Sequence, residues 1–268
     1  MGSYELGVIG AGNMAEAILR GVVSANFLPP QQIIASDCDA ARRSHIADAI
    51  GVTVTDDNPQ AAACEHVMLA VKPQGMADVL QDIRSAVAPD AVVISIAAGI
   101  STAALDEGLG GRGRIVRIMP NTPMVVGAGM SALCAGPRAG EAELQWARQL
   151  FTASGKAVIV DEAMMDAVTA VSGSGPAYLF YLVEAMTDAG VAEGLAPDVA
   201  RLLAGQTCLG ASQLLMESGE QAQELRRRVT SPGGTTQRAI ETMEADNVKE
   251  KLVAAIRAAA QRSRELGQ

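Results

Sequence analysis

Histidine and cysteine, the side chains that most often bind transition metals, are scarce in this sequence. Only two histidines and four cysteines occur among its 268 residues, and no two cysteines form a CxxC pair. Residues scattered in this way match neither a disulfide framework nor a structural zinc site. We therefore expect no metal site, and we expect the thiols to stay reduced in the cytoplasm.

Basic charge and long apolar runs are limited as well. The chain carries 21 basic and 30 acidic side chains, which gives a formal charge of −9. Such an acidic protein is a poor binder of a phosphate backbone, so a nucleic-acid partner is not expected. No apolar run reaches the roughly 18 to 20 residues that a membrane-spanning helix needs. We expect a soluble protein that does not bind membranes and is cytoplasmic.

The apolar residues, 49% of the chain, are numerous enough for a sizeable core. Short apolar runs alternate with helical stretches up to Val160, and helical patterns alone follow. This order predicts an α/β Rossmann-type doubly wound sheet at residues 1–160 and an all-helical domain at residues 161–268. Residues 177–192 and 199–216 are too apolar for one chain to cover, so we predict an intertwined homodimer.

A glycine-rich turn follows the first predicted strand, residues 6–9. The turn reads Gly10-Ala11-Gly12-Asn13-Met14-Ala15, a G-x-G-x-x-A pattern between a strand and a helix. Gly10 permits a tight turn, Gly12 lets a pyrophosphate approach the backbone, and Ala15 allows close packing of helix on strand. In this context the motif predicts a dinucleotide site, although a turn without a ligand is the alternative.

Two cues at the end of the second strand conflict about which dinucleotide binds. Ser36-Asp37 lies where a Rossmann domain contacts the adenosine ribose, and an acid there favours a free 2′-hydroxyl. Arg42 and Arg43, one helical turn further on, favour a 2′-phosphate instead. These residues therefore leave the choice between NADP and NAD open.

Later strands offer further candidates at their carboxyl ends, where open α/β sheets bind ligands. An apolar run at residues 67–71 stops at Lys72-Pro73, and another at residues 92–96 precedes Ala97-Ala98-Gly99. The small alanines leave room for a ring or a ribose, whereas Lys72 is equally well interpreted as a surface lysine.

Two loops allow both a functional and a structural interpretation. Asn121-Thr122 lies between Pro120 and Pro123 and could bind a nicotinamide or a substrate, or could cap a turn. A strand is predicted next, at residues 124–134. Ser172-Gly173-Ser174-Gly175-Pro176 could line a cleft, but close packing of two helices is the better interpretation.

The late segment Ser231-Pro232-Gly233-Gly234-Thr235-Thr236 precedes a predicted helix. Pro232 ends any preceding helix, the glycines turn freely, and Thr235 or Thr236 can cap the new helix. Unpaired amides and the positive dipole end of such a helix can bind a carboxylate. An ordinary turn between helices is the alternative.

The helical region has few general bases. Both histidines precede it, and its only lysines are Lys249 and Lys251. Oxidation of an alcohol calls for such a base, whereas a protonated imine is already electrophilic and needs only a hydroxyl to orient or relay its proton. Thr236 could supply that hydroxyl, so imine reduction is favoured over alcohol chemistry.

Nearly end to end, the motifs resemble the pyrroline-5-carboxylate reductase family. The resemblance rests on the glycine turn, Ala70-Val71-Lys72-Pro73, Ala97-Ala98-Gly99, Met119-Pro120-Asn121-Thr122-Pro123, Asp166-Ala167-Val168-Thr169 with Ser172 to Tyr178, and Ser231 to Thr236. It implies hydride transfer from NAD(P)H to C5 of 1-pyrroline-5-carboxylate, which gives L-proline in the last step of proline biosynthesis. It also implies interlaced helical domains, a homodimer and, in some members, a ring of dimers.

The resemblance also assigns roles by position. It implies a coenzyme site formed by Ile9, Gly10, Ala11, Gly12, Asn13, Met14, Ser36, Asp37, Asn58, Ala70, Val71, Lys72, Pro73, Ala97 and Ala98. It implies a substrate carboxylate held by Ser231, Gly234, Thr235 and Thr236, with Thr236 also acting on the ring nitrogen. The substrate loop is expected to complete the coenzyme site of the partner.

Two departures and two rival interpretations qualify these assignments. Members often carry Ser or Asn at Asp37, and some carry Asn at Arg228, which leaves the choice between NADPH and NADH open. A β-hydroxyacid dehydrogenase would need a lysine in the region that Tyr178 to Tyr181 occupy. A dinucleotide sensor would need the glycine turn but not the late Ser231 to Thr236 segment.

Overall fold

The computed structural model describes residues 4–267, which form two compact units. The first unit runs to Ser174 and also includes the residues from Ala259 onward; the second is Gly175–Ala258. The first is α/β and the second all helical, which confirms the predicted fold class. The domain boundary predicted after residue 160 stays a prediction. The two units are defined by contacts within the structure, and they divide after Ser174.

The first unit is built on one eight-stranded sheet. In the described residues the strand order is β3-β2-β1-β4-β5-β6-β7-β8, and every neighbouring pair is parallel except β6 and β7. The strands are β1 Leu6–Ile9, β2 Ile33–Ser36, β3 Thr53–Thr55, β4 His66–Leu69, β5 Val92–Ser95, β6 Arg114–Met119, β7 Gly129–Ala135 and β8 Gly155–Ile159. The first five strands have the Rossmann order.

Helices cover both faces of this sheet. They are α1 Asn13–Ser24, α2 Ala40–Ile50, α3 Asn58–Ala62, α4 Met76–Ile83, α5 Thr102–Gly108, α6 Glu141–Thr152 and α7 Met165–Val168, which continues as a π-helical turn at Thr169–Gly173. Strands β1, β2, β4 and β5 are buried throughout, because a parallel sheet is covered on both faces. These strands were therefore recognisable in the sequence as continuous apolar runs.

Close packing fixes where α3 lies. A side chain at Gly7 of β1 would place its Cβ 1.8 Å from the carbonyl oxygen of Ala61 in α3. Only glycine permits that approach. The packing also places Asn58 at the first turn of α3, where the sequence pattern had predicted a loop. Pro59 suits the first turn because it needs no amide hydrogen there.

The strand predicted at residues 124–134 was wrong in its first half. Residues Thr122–Val126 form a 3₁₀ helix, and β7 begins only at Gly129. Pro123 lies in the first turn of this short helix, and Gly127 ends it with a φ of +72°. The apolar content of Met124 to Val126 therefore does not reflect pairing in the sheet.

The second unit consists of α8 Gly175–Ala192, α9 Pro197–Ser218, α10 Ala222–Arg228, α11 Thr235–Ala245 and most of α12 Val248–Leu266. Helices α8 and α9 pack on each other through small residues, with Gly190 beside Ala200. Many large apolar side chains of these two helices remain exposed in the single chain, including Phe180 at 62%, Tyr181 at 73% and Leu202 at 70%. Throughout residues 4–267, no helix has both the length and the apolar content to cross a bilayer.

Candidate functional site

Four strands of the first unit end in register at one edge of the sheet. Ile9 pairs with Ser36 on one side and with Leu69 on the other, and Leu69 pairs with Ser95. The chain crosses over between β3 and β4, so β1 and β4 mark the switch point where open α/β sheets bind ligands. This edge therefore gathers the glycine turn, the Ser36-Asp37 corner, residues 70–73 and residues 97–98.

The turn after β1 requires glycine at position 10. Gly10 has a φ of +91°, and its N–H donates to the carbonyl oxygen of Ser36 at 2.8 Å. A Cβ on Gly10 would lie 2.9 Å from both the carbonyl oxygen of Ala70 and Cγ1 of Val71. Conformation and close approach to the neighbouring strand end thus both select glycine.

Gly12 leaves the start of α1 open. It is the N-cap residue of α1, and no side chain caps the helix. A Cβ on Gly12 would meet no heavy atom within 4 Å, and its φ of −67° suits any residue. The protein therefore does not itself require glycine here, whereas a pyrophosphate at the helix N-terminus would. The residues at this turn fit a dinucleotide.

Asp37 is tied to the glycine turn through backbone hydrogen bonds. Its Oδ2 accepts the N–H of Ala11 at 2.8 Å, and its Oδ1 accepts the N–H of Asp39 at 2.9 Å. The carboxylate therefore holds the end of β2 against the turn after β1. Sequence reasoning treated Asp37 only as a ribose ligand and did not anticipate this bracing function.

Arg42 and Arg43 are both held by the protein itself. Arg42 Nη2 contacts Glu16 Oε2 at 2.5 Å, and Arg42 Nε donates to the carbonyl oxygen of Ala11. Arg43 Nη1 donates to the carbonyl oxygens of Asp37 at 2.8 Å and Cys38 at 3.2 Å. Both arginines therefore lie beside the Ser36-Asp37 corner. Their predicted contact with a 2′-phosphate stays a prediction.

Glu16 is a residue that the sequence reasoning missed. Burial raises the pKa of its carboxyl, but hydrogen bonds from Arg20, Arg42 and His45 outweigh burial and bring the pKa down to about 2. The spacing of Glu16 and Arg20 is a visible i,i+4 signal. No local signal marks the pairing with Arg42, which lies 26 residues away.

Ser36 and Asn58 form a small polar chain beside this corner. The Ser36 hydroxyl donates to Asn58 Oδ1 at 2.8 Å, and Asn58 Nδ2 donates to Asp82 Oδ2 at 3.1 Å. Ser36 is fully buried, whereas Asn58 is partly accessible. A contact of either residue with adenosine stays a prediction.

The next two strand ends differ in accessibility. Lys72 is exposed and precedes a 3₁₀ turn, Pro73–Gly75, which agrees with its interpretation as a surface lysine. Ala97 is buried and Ala98 is partly exposed.

Asn121 and Gly173 have structural functions. Asn121 Oδ1 accepts the N–H of Met130 at 2.8 Å, and its Nδ2 donates to the carbonyl oxygen of Ser172 at 3.2 Å. A Cβ on Gly173 would lie 2.4 Å from Cε of Met119. The turn interpretation of Asn121 is therefore favoured. Gly173 allows close packing as well, but against the end of strand β6 and not against a second helix as predicted.

In the second unit, residues 231–236 form a turn that leads into α11. Gly233 has a φ of +70°, and its N–H donates to Gln237 Oε1 at 2.7 Å. Gly234 is the N-cap residue, so Thr235 and Thr236 are the first helical residues and neither is the cap that the sequence suggested. Because glycine has no side chain, the first amides of α11 receive no side-chain cap.

The hydroxyls around this helix start are accessible. Ser231 and Thr235 are exposed, and Thr236 is half-buried. No acidic residue occupies the first turn of α11, so nothing local opposes an anion at the positive end of its dipole. The predicted substrate residues Ser231, Gly234, Thr235 and Thr236 thus lie together within the second unit.

Comparisons with known proteins agree with this geometry along the whole chain. Residues 162–266 match the family model "Pyrroline-5-carboxylate reductase dimerisation", and residues 5–99 match "NADP oxidoreductase coenzyme F420-dependent". The pyrroline-5-carboxylate reductase of Pseudomonas aeruginosa is 45% identical, over 100% of this chain and 98% of the relative. A solved pyrroline-5-carboxylate reductase from Coxiella burnetii is 36% identical with a TM-score of 0.92, over 100% of both chains. A Plasmodium falciparum pyrroline carboxylate reductase with NADP bound is 29% identical with a TM-score of 0.89, again over 100% of both chains. The chain therefore belongs to the pyrroline-5-carboxylate reductase family and is an oxidoreductase.

Proposed function

We propose that this protein reduces 1-pyrroline-5-carboxylate to L-proline with NADPH, the last step of proline biosynthesis. The observation that carries the proposal is the open, uncapped start of α1 at Gly12, at the switch-point edge of the sheet. Similarity to relatives with this activity over the entire chain supports it.

The coenzyme would be held by the residues at this edge. The first amides of α1, from Gly12 to Met14, would bind its pyrophosphate, and the Ser36-Asp37 corner with Asn58 would face the adenosine end. Ala70 to Pro73, together with Ala97 and Ala98, would line its middle. When bound, the coenzyme supplies the hydride that adds to C5 of the substrate.

The substrate carboxylate would be held at the start of α11. The backbone amides of Thr235 and Thr236 and the Ser231 hydroxyl offer donors of the kind that a carboxylate accepts. The Thr236 hydroxyl would orient the ring nitrogen and hold or relay its proton. No strong general base is needed, because a protonated imine is already electrophilic.

An absorbance assay tests the reaction directly. We expect oxidation of NADPH, followed at the nicotinamide absorbance band, only when 1-pyrroline-5-carboxylate is present, with proline as the product. NADH is assayed in parallel, and a 3-hydroxy acid with NADP⁺ tests the rival dehydrogenase activity. Absence of imine-dependent oxidation, or faster turnover of the hydroxy acid, would contradict the proposal.

Asp37 is expected to influence coenzyme choice. In the Asp37→Ser variant we expect the preference for NADPH over NADH to rise about fivefold, since removal of one negative charge near the 2′ position changes binding by on the order of 1 kcal/mol. Steady-state kcat/KM with each coenzyme measures the ratio. Asp39→Ser is the matched control, because Asp39 also accepts a backbone N–H, that of Ala41. An unchanged ratio in Asp37→Ser would mean that the carboxylate acts only as a brace.

The exposed apolar faces of α8 and α9 support a homodimer. A soluble chain seldom leaves such large apolar side chains uncovered, and a second copy would bury them. Light scattering at micromolar concentration should give a dimer or a ring of dimers, and a monomer would contradict this. Leu202→Asp, which places a charge on the exposed apolar face of α9, should weaken the assembly.

A cytoplasmic location is part of the same proposal. All four cysteines are free, and burial raises the pKa of the Cys64 and Cys134 thiols to about 11. Such thiols stay protonated and unreactive, as suits a reducing compartment.

A further inference from the structure

A cavity of the first unit lies at the opposite edge of the sheet from the glycine turn. It has a volume of about 690 Å³ and lies at the amino ends of β4, β5 and β6, beside α6. Because the four coenzyme-edge strands are parallel, this edge is separated from the glycine turn by the length of the strands. Its lining includes the charged and aromatic residues Glu5, Glu65, His66, Asp90, Arg114 and Trp146.

A buried histidine lines this cavity and is not fully satisfied. His66 is 6% exposed, and its Nδ1 is buried without a hydrogen bond of acceptable geometry among the described residues. The ring stacks on Trp146 with centroids 3.5 Å apart and planes 6° apart. Burial lowers the pKa of His66, although the charges of Glu65 and Glu5 and the Glu5 backbone oppose the shift. A neutral imidazole has one nitrogen without a proton, which can accept a hydrogen bond.

The cavity is also negatively charged. Glu5, Glu65, Asp90 and Glu143 line it, against one arginine. Arg114 is bound to Glu143 at 2.5 Å, whereas the other three carboxylates make no salt bridge within the described residues. The remaining walls are apolar, formed by Ala63, Ala88, Ala91 and Val92 together with the Trp146 ring.

We propose that this cavity binds a small organic cation with an apolar body, such as an aliphatic diamine. The carboxylates would attract the charged ends, the apolar wall would cover the methylene groups, and the His66 ring would accept an N–H from the ligand. The proposal is independent of the reductase assignment, because none of these residues belongs to the coenzyme edge.

The single tryptophan of the chain, Trp146, makes the proposal directly measurable. We expect 1,5-diaminopentane to change the tryptophan fluorescence saturably, with matching heat in calorimetry and weaker binding at higher salt, since salt screens the carboxylates. Pentane-1,5-diol has the same carbon chain without charge, and glutarate has the opposite charge. Neither should bind. Absence of saturable diamine binding, or equal binding of the diol or glutarate, would overturn the proposal.

Variants locate the binding site. Glu65 and Asp90 are exposed, so the double variant Glu65→Gln, Asp90→Asn should fold and should bind the diamine about tenfold more weakly. Asp48→Asn removes an exposed carboxylate of α2 outside the cavity and should bind as wild type does. His66→Phe keeps an aromatic ring beside Trp146 and removes the acceptor nitrogen, so it should also weaken binding. Wild-type affinity in the double variant, or an equal loss in Asp48→Asn, would place the ligand elsewhere.

Discussion

Replacing Thr236 with alanine is expected to lower turnover at saturating NADPH by roughly ten- to a hundredfold, with NADPH affinity nearly unchanged. The variant loses the hydroxyl that we propose acts on the charged imine, and a hydrogen bond to a charged group contributes on the order of 1.5–3 kcal/mol. The Thr236 side chain is half-buried at the first turn of α11 and lies outside the unit that carries the glycine turn. Steady-state kcat and a separate NADPH titration measure the two quantities.

Thr242→Ala is the matched control for this experiment. Thr242 lies in the same helix, and its hydroxyl donates to the carbonyl oxygen of Arg238 at 2.9 Å, so its loss tests only helix stability. Thr236→Ser keeps a hydroxyl and should retain most of the turnover. Full turnover in Thr236→Ala would remove this residue from the mechanism, and an equal loss in Thr242→Ala would indicate damage to the helix.

The Gly12→Ala substitution is expected to weaken NADPH binding by roughly five- to a hundredfold without lowering the stability of the protein. The φ of Gly12 suits alanine, and its Cβ would meet no protein atom within 4 Å. A methyl group would instead occupy the space in front of the first amides of α1. An extra methyl group in a closely packed contact costs about 1–3 kcal/mol, and here this cost would weaken NADPH binding.

An NADPH titration and a thermal unfolding midpoint separate the two effects. Gly140→Ala is the control, because Gly140 is likewise the N-cap of a 12-residue helix, and a Cβ there would be an ordinary 3.6 Å from Glu143 Oε2. Gly10 would not serve, since its φ of +91° makes any other residue strain the turn. Wild-type NADPH affinity in Gly12→Ala would mean that the pyrophosphate does not approach this turn.

Much of the fold was predictable because its signals are local. The run Leu6–Ile9 is apolar on both faces and is bounded by a glycine, so it reads as a buried strand, and it is one. Pro197 marks the start of α9 because proline is tolerated in the first turn of a helix. By contrast, Met124 to Val126 is as apolar as a strand but forms a 3₁₀ helix. Pro123 and Gly127 shape this segment, and the start of β7 at Gly129 depends on its partners in the sheet.

In the candidate site, too, the features that depend on neighbours in the chain were predictable, and those that depend on distant residues were not. The glycine turn and residues 231–236 were identified from the sequence because backbone freedom and helix starts depend on neighbours in the chain. The sequence did not predict that Asp37 braces the glycine turn. Its partner Ala11 is 26 residues away, and only the pairing of β2 with β1 brings the two together. The sequence also predicted Thr235 or Thr236 as the N-cap of α11, whereas the N-cap is Gly234.

By itself, the sequence determined the two-part architecture, the positions of the glycine turn and of the late helix start, and the family to which they belong. Tertiary structure alone decided which groups share one edge of the sheet, how Arg42 is held by Glu16, and that His66 lies buried against Trp146. The physical reason is that strand and helix signals arise from residues a few positions apart. Charge pairing, burial and cavities depend on register and packing between residues far apart in the chain.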